Sequence, residues 1–399
     1  MKIQLKIFIL SIPFFLVSCN QNQESFTNEF ADSIYHNGEI LTMQGNSPKY
    51  TESVAIKNGK ILQIGDWSEI QKLKSDSTQV IDLEGKVMLP GFIEPHLHPI
   101  LATILIQTEI IAFNDWSLPH GEFPSAKDEE EYLRKLDAAV EKSPENEPVI
   151  SWGFHHLFHG ELTRNFLDNR YGKKPIAIWH YSFHEMILNS SAIELLNIDR
   201  KAAAEHPQVE LEKGRFVERG MQHLVAPKLM PYILNAEKAA RGMQLTAKAI
   251  QKGGVTTVAD MAMPLIDFDL EYMLIKGVLD YEHVPFRTFL IPNGAHFSTP
   301  ENLETTFSTM DNLVHSNSEK VKFLPQVKLF SDGAFYSQLM QMKEPYTDGH
   351  HGEWLTPPEV LRAYAEFYWD KDYRIHVHAN GDLGVEKVLD ILEDLTEKN

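Results

Sequence analysis

From residue 236 onward the chain alternates between two textures, and that alternation constrains its fold more than any other feature. Helical spacing is expected at 236–251, 265–280, 300–315, 357–369 and 383–396. Short apolar runs with strand character lie between them at 255–261, 286–291, 326–330 and 373–379. Gly253 and Gly254 end the first helix ahead of its strand. Strands alternating with helices build parallel βαβ units, so the fold class is α/β. A further strand, 87–93, stands upstream and makes five. Such a run is either an open sheet or part of a (β/α)8 barrel, which needs eight strands.

The remainder reads differently. Residues 34–86 hold short β-branched runs separated by turn residues, with 53–56 and 61–64 forming a hairpin about Asn58-Gly59. This is a small β layer leading into the strand at 87–93. Residues 127–142 form a charged amphipathic helix, with Tyr132, Leu136, Ala139 and Val140 near helical spacing. Two strand candidates, 148–152 and 175–181, bracket a stretch rich in histidine and aromatics. A short helix begins near residue 190, capped by Asn189 or Ser190. Residues 201–219 are polar and turn-rich. The expected organisation is a β-sandwich portion at 34–86, a barrel from 87–111 and 232–399, and an insertion at 112–231.

Charge narrows the function. Lys and Arg total 37 against 56 Asp and Glu, a net of −19 with neutral histidine. A nucleic-acid surface needs clustered cations, so that partner is excluded. The lone cysteine, Cys19, rules out an internal disulfide. Lys2 and Lys6 precede an apolar run at 7–17 that is too short for a resident span. Leu16-Val17-Ser18-Cys19 then resembles a bacterial lipobox. The expectation is a lipoprotein signal peptide at 1–19, lipidation of Cys19, a polar tether at 20–33, and a place in the bacterial cell envelope. That place is the periplasmic face or the outer membrane. An ordinary secretory signal is the alternative.

The strand at 87–93 runs into His96 and His98. Residues two apart on an extended chain share a side, so the two imidazoles can converge on a divalent metal. An H-x-H pair alone is weak: 18 histidines in 399 residues give about 0.8 such pairs by chance. The chain has two, the second being His376 and His378. Their setting matters more. Lys328, His376 and His378 lie in later strands and Asp332 and Asp382 just past them, toward the strand ends where catalytic groups of a barrel collect.

That setting resembles the amidohydrolase superfamily, and within it the amidohydrolase family 3 group of YtcJ-like metal-dependent hydrolases. The likeness rests on 35–43, on Leu89-Pro90-Gly91-Phe92-Ile93-Glu94-Pro95-His96-Leu97-His98, and on Gly254-Val255-Thr256-Thr257. It continues through 327–334 and His378-Ala379-Asn380-Gly381-Asp382. It covers nearly everything from residue 34. The resemblance implies an incomplete TIM-like (β/α) barrel of about five strands, with a small N-terminal β-sandwich portion and an inserted subdomain. It implies one or two divalent metals, zinc by kind, with His96, His98, Lys328 and His378 as ligands, Lys328 bridging if carboxylated. It places His184 near the substrate as a catalytic and binding residue, and Asp332 on the substrate side. The implied reaction is attack of metal-bound hydroxide on an amide-like carbonyl, cleaving a carbon–nitrogen bond other than a peptide bond in a small molecule. The family pattern continues past residue 399 with further ligands, so a C-terminally truncated fragment of impaired activity is expected.

Other readings stand beside these. Lys328 can be a plain ion-pairing lysine, and His376 a pocket or packing residue. Asp332 and Asp382 can be turn or cap residues. His155, His156 and His159 fit the wall of the insertion better than a metal site. At the level of function, the alternatives are a hydrolase of esters or phosphoesters and a non-catalytic metal- or ligand-binding lipoprotein. The sequence says nothing of oligomeric state.

Overall fold

The computed structural model describes residues 30–397. Cys19, the apolar run before it and most of the tether lie outside the described residues. The chain divides into two compact units, Met1–Pro90 and Gly91–Asn399.

In the first unit a four-stranded sheet orders Lys60–Gly65, Ser53–Lys57, Ser33–His36 and Gln79–Asp82. The hairpin turns at Asn58 and Gly59, both at positive φ (49° and 70°), as a two-residue turn matching the strand twist requires. A three-stranded sheet orders Tyr50–Thr51, Glu39–Leu41 and Val87–Met88. Ala31, Ile34, Ala55 and Ile70 form a small core.

The second unit carries the alternation. Phe92–Leu97, Val255–Met263, Arg287–Pro292 and Val321–Phe323 form one parallel sheet. Gln326–Phe330 pairs in parallel with Arg374–His378, and a parallel bridge joins Asn293 to Lys328. Helices Ala236–Lys252, Phe268–Leu279, Leu303–Leu313, Pro358–Trp369 and Asp382–Glu397 connect or follow these strands. The architecture is α/β and TIM-like, and among the described residues it does not close into a barrel.

Three expectations need correcting. The single strand expected at 87–93 is divided: Val87–Met88 belongs to the first unit's sheet, and Phe92–Leu97 starts the parallel array. Pro90 has no N–H to give a ladder, and Gly91 passes Thr256 so closely that a Cβ there would lie 2.1 Å from its side chain. The segment 201–219 is not merely turns. It holds a helix, Arg200–Glu205, and a hairpin of Val209–Glu210 with Arg215–Val217, anchored by the wholly buried Phe216. Val321–Phe323 is an extra strand that only its pairing with Arg287–Pro292 defines.

Residues 109–217 build a six-stranded mixed sheet, ordered Val209–Glu210, Arg215–Val217, Glu185–Leu188, Ile176–His180, Val149–Phe154 and Glu109–Ile110. Val149–Phe154 and Ile176–His180 are buried at every residue, which is why they read as continuous apolar runs. The helix Glu129–Lys142 is capped by Asp128, which accepts from the Glu131 N–H, and buries Tyr132, Leu136 and Ala139. Asn189, not Ser190, caps the short helix Ser190–Leu195, accepting from the Ala192 N–H. Among the described residues no helix is long and apolar enough to cross a membrane.

Candidate metal centre

The H-x-H pair lies where the first parallel strand ends. His96 is in Phe92–Leu97, and His98 precedes the helix Pro99–Leu105. Their rings meet edge to face at 5.2 Å between centroids. Desolvation first, then the charges of Lys328, His98 and His376, push His96 down to about 4. It is therefore neutral at pH 7, the form a metal needs.

Lys328 stands in the middle of Gln326–Phe330, 3% exposed. Burial lowers its ammonium to about 8. Its Nζ lies 5.2 Å from the Phe330 ring centroid, and among the described residues no carboxylate pairs with it. Directly across the ladder is His376, whose Nε2 lies 2.7 Å from Gln326 Oε1. That bond suits a packing residue.

His378 ends the neighbouring strand. Burial, then the charges of His184, Lys328 and His96, push it down to about 4. Its Nε2 lies 2.9 Å from Asn380 Nδ2, and its ring stacks on that of His184 at 6.1 Å. The structure thus brings His96, His98, Lys328, His376, His378 and His184 into one neighbourhood. Among the described residues no three His, Cys, Asp or Glu groups come together closely enough to hold a metal by themselves. The donor chemistry nonetheless fits a divalent cation: two imidazoles, one of them pushed toward its neutral form by burial, beside a buried lysine. Nδ1 of His98 is buried without a hydrogen-bond partner.

Asp332 is a correction. It is wholly buried, and its oxygens accept from the N–H groups of Gln341 (2.9 Å), Asn380 (2.9 Å) and Gly381 (2.8 Å). It fastens the loop after Arg374–His378 and has no face left for a substrate. Gly381 belongs to the same clasp, since a Cβ there would lie 1.9 Å from the Gln341 carbonyl. Asp382 accepts from the Lys343 N–H, and so has a turn role.

Two acids were not singled out from sequence. Glu218, fully buried, holds His184 twice: its carboxylate lies 2.9 and 3.0 Å from Nδ1, and its N–H donates to the His184 carbonyl at 2.9 Å. It adopts φ 42°, a strained backbone for a glutamate. Nothing in the polar run around it marked it. Asp260, 1% exposed near the end of Val255–Met263, faces His98 Nδ1 at 3.6 Å. Burial raises its carboxyl above the usual range. Its one sequence signal is a charge inside an apolar strand.

The histidines of the insertion behave as wall residues. His159 is wholly buried with Nε2 2.8 Å from the Ala126 carbonyl, and its Nδ1 accepts from the His155 N–H at 3.1 Å. His156 bonds Glu185 at 2.9 Å.

The profile described as Amidohydrolase family matches residues 79–399. The exoenzymes regulatory protein AepA of Pectobacterium carotovorum is 23% identical over 91% of this chain and 77% of its own length. The N-substituted formamide deformylase of Arthrobacter pascens is 24% identical over 92% of this chain and 66% of its own. An uncharacterised metal-dependent hydrolase from Pyrococcus horikoshii superimposes with a TM-score of 0.62 at 20% identity, covering 91% of this chain and 68% of that one. The chain spans 62% to 77% of the length of the first curated relatives it matches.

Proposed function

Because this chain belongs to the amidohydrolase family, we propose that it hydrolyses a carbon–nitrogen bond of a small amide-like molecule, outside the peptide class, at the centre around His96 and His98. The observation that carries this is the convergence of two imidazoles with a buried, acid-free Lys328 near the C-terminal ends of parallel strands. We read the five main parallel strands as part of a TIM-like barrel.

His96, His98 and Lys328 would hold a divalent cation, zinc being the first to try, with His378 available once Asn380 turns away. Such a cation, when bound, lowers the pKa of water and polarises a carbonyl. The chain's own groups do the rest. Lys328, with its ammonium lowered to about 8, has a neutral fraction whose Nζ can add carbon dioxide, releasing one proton to solvent, to give an anionic carbamate that could serve as a ligand. Glu218 holds Nδ1 of His184, so Nε2 is free to hold or pass a proton beside His378. That proton goes to the nitrogen that leaves.

The test uses purified protein, metal analysis and a panel of N-formyl and N-acyl amides with matching esters. Amide hydrolysis that a chelator abolishes and zinc restores is expected. Absence of both zinc uptake and amide turnover would overturn the reading. On sequence alone, we also propose that Cys19 is lipidated and anchors the protein in the bacterial envelope. Cys19→Ser should then move it out of the membrane fraction, and unchanged retention counts against the anchor.

A further inference from the structure

Five buried carboxylates stand out in the second unit, and four have their hydrogen bonds met. Glu185 has His156 and Arg215, both at 2.9 Å. Glu218 has His184. Asp332 has three backbone N–H groups. Glu271 accepts from those of Leu265, Ile266 and Asp267. Asp260 differs: among the described residues neither of its oxygens has a hydrogen-bond partner. Strand pairing sets Asp260 opposite Leu97, the residue before His98. Its carboxylate therefore faces His98 Nδ1, which is also unpartnered, across 3.6 Å.

A buried carboxylate without donors weakens a fold. One that orients a ligating imidazole does useful work for a metal, because it fixes the tautomer and the ring plane. We propose that Asp260 is the positioning residue of the metal centre: it accepts the Nδ1 proton of His98 and so presents Nε2 of His98 to a divalent cation. This rests on the reading of His98 as a ligand. Closing the gap from 3.6 Å to a charge-assisted bond of about 2.8 Å is a small movement. A cation on Nε2 would strengthen that bond by drawing electron density from the ring.

The consequence is a pair of opposite effects. Asp260→Asn keeps the volume and removes the charge. It should weaken zinc binding about 10- to 100-fold, while the metal-free protein unfolds at the same temperature or higher. Both quantities are read on the full chain, zinc by competition with a chromogenic chelator and unfolding by a thermal scan. Glu185→Gln is the control. It alters a buried carboxyl held by His156 and Arg215, so it should leave zinc affinity unchanged and lower the melting temperature. Equal zinc affinity in wild type and Asp260→Asn overturns the role of Asp260 alone. So does a loss of affinity that comes with a lower melting temperature or failure to fold, since that marks a structural residue. If the wild type takes up no zinc, the metal-centre reading falls first and takes this inference with it.

Discussion

Two groups of histidines in the same unit meet opposite fates. In the insertion sheet, His159 is closed on both nitrogens, His156 bonds the buried Glu185, and His180 Nδ1 lies 2.9 Å from Ser182 Oγ. Their remaining nitrogens, Nδ1 of His156 and Nε2 of His180, are sealed among neighbouring rings. At the strand ends, His96 opens toward solvent and His98 keeps Nδ1 for an acid that has no other partner. A count of histidines therefore does not mark a site. What marks it is an imidazole open to solvent, His96, beside one whose buried Nδ1 faces a buried carboxylate, His98.

Glu185 serves both Arg215 and His156 in the dry interior. Glu185→Ala leaves His156 Nε2 unpaired and Arg215 with Glu210 alone, and should lower stability by about 3–5 kcal/mol, read by urea unfolding. A loss under about 1 kcal/mol would mean that the insertion cluster is not structural. The next test is at the metal end. His98→Ala should weaken zinc binding by more than the roughly 100-fold that loss of an outer partner brings, with the urea midpoint little changed. A zinc affinity equal to wild type would place the metal elsewhere.

Glu218→Gln is smaller and sharper. If Glu218 aligns His184, the variant should lose about 10-fold in kcat with KM nearly unchanged, and retain its zinc. A change confined to KM would make His184 a binding group only. The smallest effect is in pH. His96 and His378 are pushed down to about 4 and His180 to about 3, chiefly by burial. The unfolded chain keeps an ordinary imidazole near 6.5. Between those values the unfolded state binds protons that the folded state refuses. The stability these groups contribute is thus complete above about pH 6.5 and is lost as pH falls toward 4. The urea midpoint should decline from pH 6.5 to 5. His180→Gln should remove the insertion's share of that slope and His96→Gln the site's share. A flat profile in the wild type would sink the shared mechanism.

Much of this molecule is legible in one dimension. Short apolar runs between amphipathic segments announce the parallel strands, because a strand covered on both faces needs apolar residues throughout. Helix Glu129–Lys142 was readable from its spacing and its acidic first turn. His96 and His98 were readable because an i, i+2 pair on a strand shares a side whatever surrounds it. His184 came only through resemblance.

What sequence periodicity could not supply is who faces whom. Lys328 looks like any lysine until burial removes its water. Asp332 looks like a site residue until three backbone N–H groups from Gln341 and the Asn380-Gly381 turn close on it. Asp260 and Glu218 lie 162 and 34 residues from the histidines they face. So the sequence by itself determined the α/β alternation and the H-x-H pair, since both are local patterns with a fixed period. Only the tertiary structure decided which acids stand behind which imidazoles, because hydrogen bonding and burial depend on neighbours that the chain brings together across long separations.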